Sequence, residues 1–274
     1  MSRVRLGSGR GLLLAVAGCA ISAGAAAELS SRAAGSTAST VRQATVVPQS
    51  DLRLVAPPAA FTSGRPPPPS GRRDATRWAP VLHATVAHRT PNTRGAPAGS
   101  VPTRTGDGTT NIVVADGEAV RHGVLWVRVR LTALPNGTQG WVPRRALGGW
   151  SFVHTRLVVD RRRLEASLYR GGRVIFHTRI GIGAPGTPTP AGQFYIRDRL
   201  SGFKSPMYGP LAFGTNARSP TLTDWPDGGI VGIHGTDRPD LIPGKVSHGC
   251  VRMTNAAILR LGTLMPVGTP VIIR

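Results

Sequence analysis

The chain's 274 residues, 40% of them hydrophobic, leave room for about two domains, each able to bury a core. Its formal net charge of +21 comes almost wholly from arginine, Lys204 and Lys245 being the only lysines, and suits anionic polymers and phospholipid surfaces. Nucleic acid and nucleotides are disfavoured: the arginines are scattered with no basic helical stripe, and no G-x-G-x-x-G or Walker loop occurs.

The chain opens as a secretion signal would. Arg3, Arg5 and Arg10 precede the apolar run from Leu12 to Ala17, and small residues lead to Ala25-Ala26-Ala27. Cleavage after Ala27 is one expected route. The lipobox-like Val16-Ala17-Gly18-Cys19, with Cys19 lipidated, is the other. Either predicts an exported protein of the cell envelope, in the periplasm or cell wall. Either also leaves Cys250 without an intrachain disulfide partner, which favours a reactive thiol. Residues 28–75 are rich in Pro, Ala, Ser and Arg, include Arg65 followed by four prolines, and read as a disordered, semi-rigid spacer.

From 76 to 150 the pattern turns to short strands. Leu125 to Leu131 alternates apolar with basic residues, and Asp116-Gly117 and Asn136-Gly137 are turn dipeptides. With Gly140-Trp141-Val142-Pro143 near its end, this segment resembles a small bacterial SH3-like β-barrel. A wall-binding module and a packing domain without a ligand are both compatible with it.

Residues 151–274 also read as mostly β. Leu164, Ala166 and Leu168 alternate with polar residues, Gly171-Gly172 turns the chain, and Val174-Ile175-Phe176 returns as a hairpin. Gly183 to Gly192 is a loop, and Val231 to His234 a strand that delivers His234 to its end. Thr254 caps a short helix carrying Ile258, Leu261 and Leu264, and Val271 to Ile273 forms a last strand. A fragment from about Ser151 onward is expected to fold alone.

The chemistry concentrates in Ser247-His248-Gly249-Cys250, with His234-Gly235 upstream. A thiolate needs little help as a nucleophile near neutral pH, an imidazole can generate it, and glycine amides can meet a developing oxyanion. His234, His248 and Cys250 are also possible zinc ligands, but nothing nearby has Cys-x-x-Cys or His-Glu-x-x-His spacing.

At these residues the chain resembles the L,D-transpeptidases of the YkuD type, which remodel bacterial peptidoglycan. Their signature, a His, a gap, then Ser/Thr-His-Gly-Cys, an apolar residue and commonly Arg, is matched by His234 and by Ser247 to Arg252. Gly186 to Gly192 and Tyr208 to Phe213 extend the match. The resemblance implies a mainly β chain: a YkuD-like β-sandwich with a short helix after the cysteine, preceded by the SH3-like barrel. It implies Cys250 as nucleophile and His234 as proton donor and acceptor, oriented by the Gly235 carbonyl. The amides of Gly249 and Cys250 would form the oxyanion site, with His248 shaping the turn. Arg252, Tyr208, Trp225 and Ser247 are candidate substrate contacts. For Arg252 an internal salt bridge is the competing role, and for the two aromatics it is core packing.

The implied reaction joins tetrapeptide stems of peptidoglycan, as donor and acceptor, into 3→3 cross-links through a thioester. It needs no cofactor and no metal, and no stable protein partner is predicted. The anionic wall surface is an expected partner and carbapenems expected inhibitors. Alternatives are an L,D-carboxypeptidase, another cysteine wall hydrolase, or a non-catalytic wall-binding protein. Papain-like hydrolases place Cys before His, and sortases separate His from Cys more widely.

Overall fold

The computed structural model describes residues 75–202, 205–222 and 229–274. The expected leader, Cys19, almost all of the 28–75 spacer, and Trp225 lie outside the described residues.

Seven strands make an entirely antiparallel first sheet: β1 (Thr76–Pro80), β2 (Thr85–His88), β3 (Pro97–Val101), β4 (Ile112–Arg121), β5 (Val124–Arg130), β6 (Gln139–Pro143) and β7 (Ser151–Val153), ordered β3-β2-β6-β5-β4-β1-β7. As the alternation in β5 predicts, Val127, Val129 and Leu131 are buried, together with Ala79, Val81, Val113 and Val142, while Arg128 is exposed. Trp150 meets two cations, with the guanidinium carbons of Arg77 and Arg144 at 4.2 and 4.6 Å from its ring centre.

One expected turn moves. Asp116-Gly117 lies inside β4, where the register against β5 shifts between Ala115 and Gly117, a bulge rather than a reversal. The Asp116 carboxylate there accepts from Arg130 Nε (2.8 Å) and Gln139 Nε2 (2.6 Å), bonds made along strands rather than around a turn. The chain reverses at His122-Gly123, both at positive φ (49° and 74°). Asn136-Gly137 is a turn, with Gly137 at φ 88°.

The second sheet has ten strands: β8 (Thr155–Asp160), β9 (Glu165–Arg170), β10 (Arg173–Arg179), β11 (Gly181–Gly183), β12 (Gly192–Ser201), β13 (Leu211–Arg218), β14 (Ile230–His234), β15 (Gly244–Ser247), β16 (Val251–Arg252) and β17 (Pro270–Ile273). Their order is β10-β9-β8-β17-β12-β13-β14-β16-β11-β15. The expected mainly β fold is observed as one curled sheet around a core of Leu157, Leu168, Phe194, Phe213, Ile233, Val251 and Val271. The β9–β10 hairpin forms as predicted, though Leu164 sits in the preceding turn at φ 56°. The helix α1 (Asn255–Leu264) is capped by Thr254, whose hydroxyl accepts from Ala257 N–H (3.2 Å), and it buries Ile258 and Leu261. Among the described residues no helix is long and apolar enough to cross a membrane.

Between the sheets lies a small cluster of its own. Tyr195 of β12 is buried with Ile112 and Val114 of β4, Trp78 and Val267 pack against them, and its hydroxyl donates to the Ile112 carbonyl (3.1 Å). Burial pushes the Tyr195 phenol well above its ordinary range, so it remains a donor. Pairing divides the chain near residue 154; packing continues across that division.

Candidate active site

Strands β14 and β16 run parallel, pairing Ile233 with Val251 and His234 with Arg252. Side chains alternate along a strand, so this register sorts the segment into two faces. Ile233 and Val251 enter the core. Gly232, His234, Cys250 and Arg252 share the other face. Gly232 is level with Cys250, and its N–H donates to the Cys250 sulfur at 3.3 Å. A Cβ at Gly232 would stand 3.8 Å from that sulfur and 4.0 Å from His234 Cδ2, so glycine leaves a gap beside both the thiol and the imidazole.

The His234 ring is fixed from two sides. Its Nδ1 lies 2.6 Å from the Gly235 carbonyl, which can only accept; Nδ1 therefore carries the proton and Nε2 the lone pair. Tyr208 packs against the ring, centroids 5.0 Å apart at 63°. Gly209 and Gly235 approach so closely that side chains on either would collide with Asn255 Oδ1, which accepts from Thr236 N–H (2.9 Å). His234 is buried, which pushes its pKa down to about 4; the Gly235 bond opposes this and the Arg252 charge adds to it. Burial likewise raises the Cys250 thiol, against the pull of the Gly232 N–H and of Arg252. Both groups are therefore neutral at rest near pH 7.

The turn that carries Cys250 is held by hydroxyls. Ser247 Oγ donates to the Cys250 carbonyl (2.6 Å) and accepts from Gly249 N–H (3.1 Å), while Gly249 sits at φ 121°. Thr189 Oγ1 accepts from Gly183 N–H (2.9 Å) and donates to the Gly249 carbonyl (2.7 Å). The Ser247 carbonyl accepts from Ala184 N–H (2.8 Å) and Thr187 Oγ1 (3.2 Å). The loop from Gly183 to Gly192 thus backs the nucleophile turn.

His234, Cys250, Arg252, Tyr208, His248 and Ser247 border one cavity, whose lining also includes Met207, Ser219, Leu222 and residues 229–231. The structure brings together every predicted site residue except Trp225, which is outside the described residues. Ser247 is buried and grips the backbone of its own turn, and the Gly249 amide is engaged inside that turn. Arg252 forms no ion pair among the described residues, and its buried Nε has no partner. No three His, Cys, Asp or Glu side chains among the described residues converge to hold a metal. Gly232, Thr189 and Asn255 were not legible as site residues. A glycine two places before His234 was the one available signal, because alternation puts it on the histidine's face.

The family model for the L,D-transpeptidase catalytic domain, YkuD, matches residues 154–273. The chain is 33% identical over 120 residues to the putative L,D-transpeptidase YkuD of Bacillus subtilis (strain 168), covering 44% of this chain and 65% of that protein. To the putative L,D-transpeptidase YqjB of the same organism it is 30% identical over 125 residues, covering 43% of this chain and 69% of that protein. The chain belongs to the L,D-transpeptidase family. It spans just under two thirds of the YkuD relative. Among solved structures, it is similar to the catalytic domain of the Enterococcus faecium L,D-transpeptidase acylated by ertapenem, with 28% identity, a TM-score of 0.34, and coverage of 44% of this chain and 97% of that one. It is also similar to an L,D-transpeptidase from Mycobacterium tuberculosis H37Rv, with 12% identity, a TM-score of 0.37, and coverage of 71% and 94%. This family member's His and Cys lie on one face of two parallel strands.

Proposed function

We propose that the protein forms 3→3 cross-links in peptidoglycan through a Cys250 thioester. The observation that carries the reading is the thiol and the Nδ1-anchored imidazole on one face of β14 and β16, opening onto a common cavity. Because both groups rest neutral, the thiolate is made during attack rather than stored. The thiol proton passes to His234 Nε2 as Sγ bonds to the carbonyl of the third stem residue. The Cys250 amide meets the oxyanion, since Gly249's is engaged with Ser247. As the tetrahedral intermediate collapses, the imidazolium gives its proton to the departing D-alanine nitrogen. The side-chain amine of a second stem then attacks the thioester, loses a proton to Nε2, and Sγ leaves and is reprotonated.

The half-buried Arg252 guanidinium opposes the imidazolium and favours the thiolate, and its lack of an internal carboxylate supports a role in holding a stem carboxylate. His248 shapes the turn at the cavity mouth. Export to the envelope, attraction to the anionic wall, an SH3-like character for residues 76–150 and inhibition by carbapenems belong to the same reading. Mass spectrometry of purified disaccharide-tetrapeptide with the enzyme tests it. D-alanine and 3→3 dimers are expected. Tripeptide product alone, even at high acceptor concentration, would make the protein an L,D-carboxypeptidase, and no D-alanine from any stem would overturn acyl transfer.

A further inference from the structure

Part of the lining of the thiol cavity is tied to the first sheet through the side chain of Asn136. Asn136, in the turn between β5 and β6, pairs with Arg218 as a neighbouring strand would: its Nδ2 donates to the Arg218 carbonyl (2.7 Å) and its Oδ1 accepts from Arg218 N–H (2.9 Å). Neither bond is to its own sheet. Two residues earlier, the amide of Asn216 donates to the Leu131 carbonyl (3.2 Å) and accepts from Tyr195 N–H (2.8 Å), so the same turn is met at both of its ends.

Arg218 is the last residue of β13, and the described residues beyond it contribute to the cavity wall. Arg218 pairs with Ile230 of β14, Ser219 N–H donates to the Gly229 carbonyl (2.8 Å), and Ser219 Oγ accepts from Thr221 N–H (3.3 Å) and Leu222 N–H (3.1 Å). Ser219, Leu222, Gly229 and Ile230 all border the cavity. Two residues beyond Ile230 is Gly232, whose N–H holds the Cys250 sulfur. An unbroken sequence of hydrogen bonds and covalent backbone thus runs from Asn136 to the nucleophile.

We infer that Asn136 is a positioning residue, through which the first sheet sets the wall that the donor stem packs against. The inference rests on the acyl-transfer reading for its substrate. A side-chain amide is suited to this work: it is a peptide group freed from its own backbone, and it can satisfy one N–H and one C=O at a strand end that would otherwise lack partners. It acts on binding and not on proton transfer, since it touches neither Cys250 nor His234.

The test uses the full chain with Asn136→Ala and the isosteric Asn136→Asp, which places a carboxylate oxygen against the Arg218 carbonyl. Below the melting range of each variant, amide hydrogen exchange in residues 218–222 and 229–232 should quicken while β4 to β6 keep their protection. KM for disaccharide-tetrapeptide should rise by about tenfold, the worth of roughly two neutral hydrogen bonds, with kcat within about twofold. Unchanged exchange in those segments would overturn the inference, as would faster exchange with KM unmoved, which would make Asn136 structural only. Faster exchange in a protein whose parent shows no stem turnover would instead defeat the acyl-transfer reading and support the clamp.

Discussion

The two sheets are built from the same kind of strand and differ in how the strands meet. Every pair among residues 76–153 is antiparallel, so each strand lies beside partners reached through turns or returning segments. The second sheet contains three parallel pairs: β8 with β17, β11 with β15, and β14 with β16. A parallel pair needs a crossover and therefore unites residues that the chain keeps apart. The site falls on two of these seams. β14 with β16 supplies His234 and Cys250, and β11 with β15 supports the turn between them through Gly183, Thr189 and Ser247. The proposed chemistry is thereby confined to two parallel seams, and the antiparallel sheet reaches it, on the Asn136 inference, only through contacts with β12 and β13.

The most severe way to break this comparison is at the nucleophile. Cys250→Ala and Cys250→Ser should both stay folded and lose on the order of 10⁴-fold or more in turnover. A serine hydroxyl holds its proton far more tightly than a thiol, and the buried His234 is too weak a base to take it. Near-normal D-alanine release by either folded variant would remove Cys250 from the mechanism.

His234 comes next, with an expected loss of about 10²- to 10⁴-fold for His234→Ala. Its role also fixes a pH dependence. The imidazole must be neutral to accept the thiol proton, so kcat/KM should fall as pH drops through about 4, below the ordinary histidine value of 6.5. Stability follows the same sign. Below pH 6.5 the unfolded chain binds a proton that the folded one refuses, so stability present at neutral pH is lost progressively between pH 6.5 and about 4, by roughly 3 kcal/mol in all. An acid limb of kcat/KM near 6.5, measured on folded protein, would show that His234 is not the base in this state.

Much of the fold was legible where structure is local. The alternation of β5, the β9–β10 hairpin and the Thr254 cap depend on residues within a few positions of each other, and they appear as read. Asp116-Gly117 misled because a turn dipeptide and a bulge use the same residues; the carboxylate contacts to Arg130 and Gln139 decide between them, and these come from other strands. The candidate residues of the site could be picked out by their chemistry, as two histidines and a thiol among glycines, and the fold brings them to one cavity. Their supports could not be picked out. Thr189 acts on a carbonyl 60 positions away and Asn136 on a backbone 82 positions away, distances at which no periodicity carries information.

A substitution at Gly232 sharpens the comparison on the seam itself. Gly232→Ala fits, since its Cβ would be at ordinary contact from both Sγ and Cδ2. Gly232→Val sends methyl groups further into the gap and should separate thiol from imidazole, lowering turnover by roughly 10²-fold, the scale of an ångström's misplacement. Single-turnover acylation should show the loss, and circular dichroism should show the fold retained. Equal activity for valine and glycine would mean that the proton does not cross this gap.

The smallest effect belongs to the antiparallel sheet. Arg77 and Glu118 pair at 2.8 Å on strands β1 and β4, both partly exposed, and Arg77 also lies over Trp150. Glu118→Gln removes the charge and leaves the stacking, so the expected destabilisation is under about 1 kcal/mol. Added salt should shrink it further, because screening weakens the wild-type pair. Turnover should be unchanged, since neither residue touches the Asn136–Arg218 contact or the two parallel seams that carry the site. Urea melts at low and high salt, run beside stem-peptide kinetics, separate the two quantities. A kinetic loss from Glu118→Gln larger than its stability loss would mean that this sheet reaches the site by more routes than its contacts with β12 and β13, and that the division between supporting and reacting seams is drawn in the wrong place.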